Sequence, residues 1–269
     1  MRKLFFLIGI FFSGFLSAQE PLTAVLGAFP PEVEILHAQL KDKKDTVIQQ
    51  VRFSLGKLNG RKVVLALTGM GKVNAAMTTT LVLEHFRPHE LIFSGIAGGV
   101  DPALLPGDLV IGTAVAYHDY GTLTPDSLQL RPTKNPFTLA ENPLSFDCDG
   151  KLVALAMQVS HSGVVWQPIK ESGSNRLPKI ASGVIVTGDV FVASAVATER
   201  FRKQQQALAT EMEGAAIGQV CWQQHVPFLI IRSLSDNANS HAAMDVRAFY
   251  QVAANNSASL VIALAGALK

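Results

Sequence analysis

Cysteine is almost missing from this sequence: among 269 residues only Cys148 and Cys221 carry a thiol. Two thiols cannot make a disulfide-rich scaffold, and with no histidine cluster beside either they match no zinc-ligand spacing. Cys221 falls in an apolar helical run, where a buried free thiol is expected. Charge is sparse too, at 16% of residues, and the 23 basic and 21 acidic side chains nearly cancel to +2. No lysine- or arginine-rich run exists, which argues against a nucleic-acid partner and an anionic-membrane footprint. Internal repeats are absent as well. What is abundant is apolar material, 48% of the chain, enough for a large core and the opposite of a disordered composition. A small molecule is the expected partner.

The first twenty residues differ from the rest. Arg2 and Lys3 precede an apolar run from Leu4 to Leu16, followed by Ser17-Ala18 and the polar Gln19-Glu20. This is the layout of a secretory signal peptide, and about 13 apolar residues is short for a spanning helix. The expectation is a signal peptide over 1–18 and one domain over 19–269. The mature chain would then be exported, periplasmic or extracellular, with no stable membrane insertion after cleavage.

Along that domain, apolar strand-like runs alternate with helical ones. Strands are expected at Thr23–Gly27, Thr46–Leu55, Lys62–Thr68, Glu90–Gly95, Leu109–Ala116, Ala181–Val186, Ala207–Met212 and Phe228–Arg232. Asn59-Gly60 marks a hairpin. Helices are expected over Met70–Phe86, Leu152–Val159, Val196–Gln206, Gly214–Gln224 and Val246–Leu268. The stretches Gly121–Pro143 and Gln167–Pro178 show no period and read as functional loops. The pattern is that of a single α/β domain with a mixed central sheet flanked by helices.

In such sheets ligands gather beyond the carboxyl ends of the strands. The segments Gly27–Glu32, Ser94–Gly99, Glu211-Met212-Glu213 and Ser233–Asp236 fall there, and three of the four supply carboxylates. Shared burial raises carboxyl pKa values and suits them to acid/base work. Each taken singly could equally be a helix cap, Asp236 and Glu213 included. Gly69-Met70-Gly71-Lys72 looks like an anion-binding corner, but it lacks the spacing of a P-loop or dinucleotide fingerprint. A tight turn serving close packing explains it as well.

The order of these segments resembles the 5′-methylthioadenosine/S-adenosylhomocysteine nucleosidases, within the wider nucleoside phosphorylase superfamily. The matching pieces are Gly27-Ala28 with Glu32-Val33, Thr68–Val73, Gly95 with Ala97-Gly98-Gly99, and Gly107–Val110. They continue with Tyr117-His118-Asp119, Thr187–Phe191, Glu211-Met212-Glu213 and Ser235-Asp236, spanning the mature chain. The resemblance implies hydrolysis of the N-glycosidic bond of an adenosine-type purine nucleoside. It implies Glu32 as the base that activates water and Asp236 as the acid at purine N7, a role that needs a carboxyl protonated near neutral pH. Glu213 would hold ribose hydroxyls with Met212 against the sugar. Phe191 would stack on the base, and the Val192 backbone would read its edge. Phe249 would line the 5′ pocket, and Ala97, Gly98 and Glu211 would complete the substrate contacts. No cofactor or metal is implied, and a homodimer is.

Two departures stand out. The family's hydroxyl residue before Ala-Gly-Gly is Ile96 here, whose side chain cannot hydrogen-bond to water or ribose. Acidic residues common before the base are replaced by Pro30-Pro31. Two other readings stay open on the sequence. One is a phosphate-dependent phosphorylase, disfavoured because Phe93 stands where an arginine would hold phosphate. The other is a nucleoside-binding or storage protein that has lost turnover.

Overall fold

The computed structural model describes residues 20–125, 127–171, 174–239 and 242–268, so the expected signal peptide over 1–18 lies outside the described residues. The chain opens with β1 (Thr23–Gly27), α1 (Pro30–Gln39) and an antiparallel run of β2 (Lys41–Ile48), β3 (Val51–Leu58) and β4 (Arg61–Leu67). Then come α2 (Lys72–Phe86), β5 (Glu90–Gly99) and β6 (Leu109–Tyr117). The short strands β7 (Gly121–Leu123), β8 (Leu128–Leu130) and β9 (Ser145–Asp147) lead to α3 (Gly150–Ser162). A hairpin of β10 (Ile169–Glu171) and β11 (Ser174–Arg176) precedes β12 (Ile180–Thr187), α4 (Ala195–Gln205) and β13 (Ala207–Glu211). The chain closes with α5 (Gly214–Gln223), β14 (Phe228–Asp236) and α6 (Ala242–Ala267).

The main sheet runs β13-β12-β6-β14-β5-β1-β4-β3-β2, with β9 added on β6. It is mixed: β1 is parallel to both β4 and β5, while β14 is parallel to β5 and antiparallel to β6. A further pairing of β13 with the end of β5 brings the strands β5, β14, β6, β12 and β13 into a ring. The strands β1 and β14 are buried along their whole length, which explains their nearly continuous apolar runs. Helices α2 and α5 pack on each other, and α6 covers β14 and β5.

Four expectations change. The run Thr46–Leu55 is two strands, because Gln49 and Gln50 both take positive φ (49° and 66°) and turn the chain there. Glutamine carries no turn signal, unlike Asn59-Gly60 (φ 47° and 90°), where the hairpin forms as expected. The stretch Gly121–Pro143 holds the β7–β8 hairpin and a bridge between Lys134 and Glu141, and Gln167–Pro178 holds the β10–β11 hairpin. Helix α1, unanticipated, starts on Pro30-Pro31, since proline fits the first helical positions where an N–H has no partner anyway.

Strands β5 and β14 also run further than their apolar cores. Their pairing continues from Arg232 opposite Gly95 to Asp236 opposite Gly98, which carries polar residues into the sheet. Both cysteines are buried free thiols, and burial pushes that of Cys148 up to about 12. No helix among the described residues is long and apolar enough to cross a membrane.

Candidate active site

The carboxyl ends of β1, β5, β13 and β14 meet around a cavity of about 200 Å³. Its wall gathers Glu32, Ala97, Gly98, Phe191, Val192, Glu211, Met212, Glu213 and Asp236, contributed by segments from both ends of the domain. Phe249 is not brought to the wall. Val246, one turn earlier on α6, lines it instead. A larger hollow of about 490 Å³ lies beside the β7–β8 hairpin, but none of its lining residues is a carboxylate. The buried carboxylates Glu32, Glu211, Glu213 and Asp236 therefore meet at the smaller cavity.

Glu32 owes its position to the start of α1. Phe29 is the extended residue before the helix, and the Glu32 carboxylate folds back to accept the N–H groups of Ala28 and Phe29, both at 2.8 Å on Oε2. Its Oε1 accepts the Ile96 N–H from β5 at 2.9 Å. Pro30 and Pro31 bring no N–H of their own, so they add rigidity without competing donors. Burial pushes the Glu32 pKa up, while the Arg232 charge and the three N–H bonds oppose the rise. At position 96 the missing hydroxyl leaves the backbone N–H as the polar contact.

Behind the wall lies a side chain that the sequence reading passed over. Arg232 is fully buried on β14, its Nη2 bonded to Glu211 and, at 3.2 Å, to Glu213 Oε2. Its guanidinium carbon lies 4.1 Å from the centre of the Phe93 ring. Burial works against its charge, but Glu211, Glu213 and Glu32 outweigh that and hold its pKa above the usual value. A lone arginine inside the apolar run Phe228–Leu234 was the available signal, because a buried cation requires carboxylates nearby.

The two glutamates of Glu211-Met212-Glu213 divide the work. Glu211 accepts from the Thr187 hydroxyl, from the N–H groups of Glu213 and Gly214, and from Arg232. It therefore acts as the cap of α5, whereas Glu213 makes no side-chain cap bond there. Glu213 instead accepts the Gly71 N–H at 2.9 Å on Oε1. Burial and the neighbouring Glu211 charge push its pKa up to about 7, against the pull of Arg232 and Gly71. Gly95 gives this cluster its room: a Cβ there would overlap Arg232 Nη1 and Glu32 Oε1 and lie 2.7 Å from Glu32 Cδ.

Asp236 ends β14, buried, and accepts from the Ser235 hydroxyl at 2.8 Å and the Ala238 N–H at 2.6 Å. Helix α6 is described from Ala242, and residues 237–239 after Asp236 are not helical, so Asp236 is not the residue at its cap. Gly98 lies opposite it in register, and a Cβ at Gly98 would stand 3.1 Å from Asp236 Oδ1. The absent side chain keeps a slot open between Asp236 and Thr210, which pairs with Gly98 from the other side. The arrangement offers two buried carboxylates, Glu32 and Asp236, at different places on one largely apolar cavity. Such a pair can serve a leaving group and a water separately. Among the described residues no group of three or more His, Cys, Asp or Glu side chains is placed to hold a metal ion.

Known proteins share this fold. Residues 23–265 match the family model described as the phosphorylase superfamily. A 5′-methylthioadenosine/S-adenosylhomocysteine nucleosidase of Psychromonas ingrahamii is 38% identical over 238 residues, which cover 88% of this chain and 95% of that one. The chain belongs to this nucleosidase family. The solved nucleosidase of Neisseria meningitidis, in complex with methylthio-immucillin-A, superposes with a TM-score of 0.78 at 34% identity, covering 92% of this chain and 99% of its own. That of Colwellia psychrerythraea, in complex with adenine, gives a TM-score of 0.79 at 34% identity, with coverage of 93% and 97%. The protein is an N-glycosyl hydrolase that breaks the N-glycosidic bond of a purine nucleoside and releases the base. In this nucleosidase the Gly69–Lys72 turn does hold anions, but they are its own: Glu213 on the Gly71 N–H and Asp189 on the Lys72 N–H.

Proposed function

We propose that this nucleosidase acts on adenosine-type nucleosides bearing a 5′-thioether, methylthioadenosine and S-adenosylhomocysteine among them, with Glu32 and Asp236 as its catalytic pair. The observation that carries this reading is the opening of both buried carboxylates onto one cavity whose wall includes Phe191, Met212 and Val246. Glu32 takes a proton from the attacking water, and its three N–H bonds fix the carboxylate orientation. Arg232, close behind Gly95, balances the charge of the carboxylates around that water. Asp236 gives its proton to N7 as the base leaves. Glu213 accepts ribose hydroxyls while Phe191 covers the purine face and the Val192 backbone meets its edge.

Among the described residues, the Gly69–Lys72 turn has neither its Gly71 nor its Lys72 amide free for a phosphate. The Gly71 and Lys72 amides are already taken by Glu213 and Asp189, and Phe93 is a buried aromatic ring. Glu32 would repel a phosphate dianion.

The same reading includes a homodimer and export. Val73 and Met77 lie exposed along one face of α2 and Met70 in the turn before it, and Val190 and Phe191 continue that apolar surface at the cavity mouth. A second copy covering this face would close the cavity, and sedimentation of the purified chain at a monomer's mass would refute it. Export rests on the leader Arg2–Ala18.

The substrate reading is tested with methylthioadenosine, S-adenosylhomocysteine, adenosine and inosine, following free base by chromatography. The expected order of kcat/KM places the two 5′-thioethers above adenosine, because the 5′ end meets apolar side chains. Adenosine or inosine exceeding both would show a plain salvage enzyme instead, which an exported location also suits.

A further inference from the structure

The Gly-rich turn, the Tyr117-His118-Asp119 segment and the Gly188-Asp189 segment have no part in the proton transfers described above. They nevertheless converge on one network. The Lys72 N–H, at the first turn of α2, donates to Asp189 Oδ1 at 2.8 Å. The Lys72 ammonium binds both oxygens of Asp119 at 2.7 Å, and Asp119 Oδ2 accepts the Asp189 N–H at 2.8 Å. Lys72, Asp119 and Asp189 thus form a closed loop of bonds drawn from three distant segments. Gly188 rests on the buried His118 ring, where a Cβ would lie 2.6 Å from Nε2, and that ring stacks on Phe201 at 4.4 Å between centres.

This network holds one end of the segment 188–194, and the bond from the Ser194 N–H to the Ala238 carbonyl at 2.9 Å holds the other. Between the two anchors lie Val190, Phe191 and Val192, all on the cavity wall. Val190 and Phe191 are more than half exposed, so packing does little to fix them. The adjacent Gly71 N–H meanwhile fixes Glu213. Consecutive amides of one helix start therefore set both the ribose carboxylate and the base-covering segment.

We infer that Lys72 and Asp119, acting through Asp189, are positioning residues that set the base-covering segment 190–192 and hence the affinity for the purine. None of them lines the cavity. The inference rests on the reading of Phe191 and Val192 as the base site. Loss of the network frees the segment to sample other positions, which weakens adenine and nucleoside binding alike and leaves the proton-transfer groups in place.

The test uses the mature full-length protein and adenine as the probe, with Kd by calorimetry, kcat and KM for methylthioadenosine, and Tm. For Asp119→Ala and Asp189→Ala the expected result is a rise of about tenfold in both adenine Kd and KM, with kcat within about threefold of the parent. Asp189→Asn keeps an acceptor for the Lys72 N–H and should recover most of the affinity. A folded Asp119→Ala protein with parental adenine Kd overturns the inference, whatever its Tm. Should that variant not fold, Asp119→Asn serves, because it keeps an acceptor for the Asp189 N–H while losing the ion pair, and parental affinity there counts against the inference equally. Phe191→Ala separates the two readings. If it leaves adenine affinity intact, the base-site assignment fails. If it weakens adenine while the Asp119 variants do not, only the positioning inference fails.

Discussion

Arg232→Met is expected to destabilise the protein by about 3–5 kcal/mol and to remove nearly all turnover. The guanidinium is fully buried and faces Glu211 and Glu213, with Glu32 close enough to feel its charge. Methionine fills much of the same space, so the loss would come from the carboxylates left without a cation, not from a cavity. Glu32 and Glu213 would then rise further in pKa, or the carboxylates would move apart. Glu32, already raised by burial, would rise further without that charge and accept a proton from water less readily. Displacement of the catalytic groups by even 1 Å costs about 100-fold in rate. Arg232→Lys keeps the charge but not the planar guanidinium whose Nη2 bonds both glutamates, so it should recover stability better than activity. Urea midpoints and kcat/KM for the three proteins check this. A Met variant as stable and active as the parent would show that the cluster needs no cation.

The second large effect concerns the leaving group. Asp236→Asn should lower kcat/KM for methylthioadenosine by about 100- to 10,000-fold, the usual range for removing a general acid. Asparagine keeps the acceptor for the Ala238 N–H and the size of the side chain, so the end of β14 should stay in place. A riboside whose leaving group departs without protonation, such as a nitrophenolate, isolates the chemistry. On that substrate the variant should lose no more than about tenfold. Equal losses on both substrates would assign Asp236 to binding or structure instead of proton donation.

Much of this site was legible before any coordinates. The apolar runs of β1, β5, β13 and β14 each end in glycine or a carboxylate, and the strand-end rule alone placed Glu32, Gly98, Glu213 and Asp236 together. What escaped depends on contacts between distant residues. Arg232 read as the end of a strand because nothing local to it announces three partners, of which the nearest in sequence is Glu213, nineteen positions away. The Gly69–Lys72 turn read as either an anion-binding corner or a tight packing turn, and the acidic groups on its amides are side chains 142 and 117 positions along the chain. Gln49-Gln50 turned the chain without a turn residue, and α1 began where two prolines suggested only stiffness. Phe249, expected at the 5′ pocket, does not line this cavity, whereas Val246 one turn earlier on α6 does.

The most direct measurement of how the bond is broken is the fate of labelled water. Turnover of methylthioadenosine in ¹⁸O-water without phosphate should place the label on the anomeric oxygen of the released sugar, at a rate that added phosphate leaves unchanged. A sugar 1-phosphate, or turnover that begins only when phosphate is supplied, would contradict hydrolysis by a water activated at Glu32.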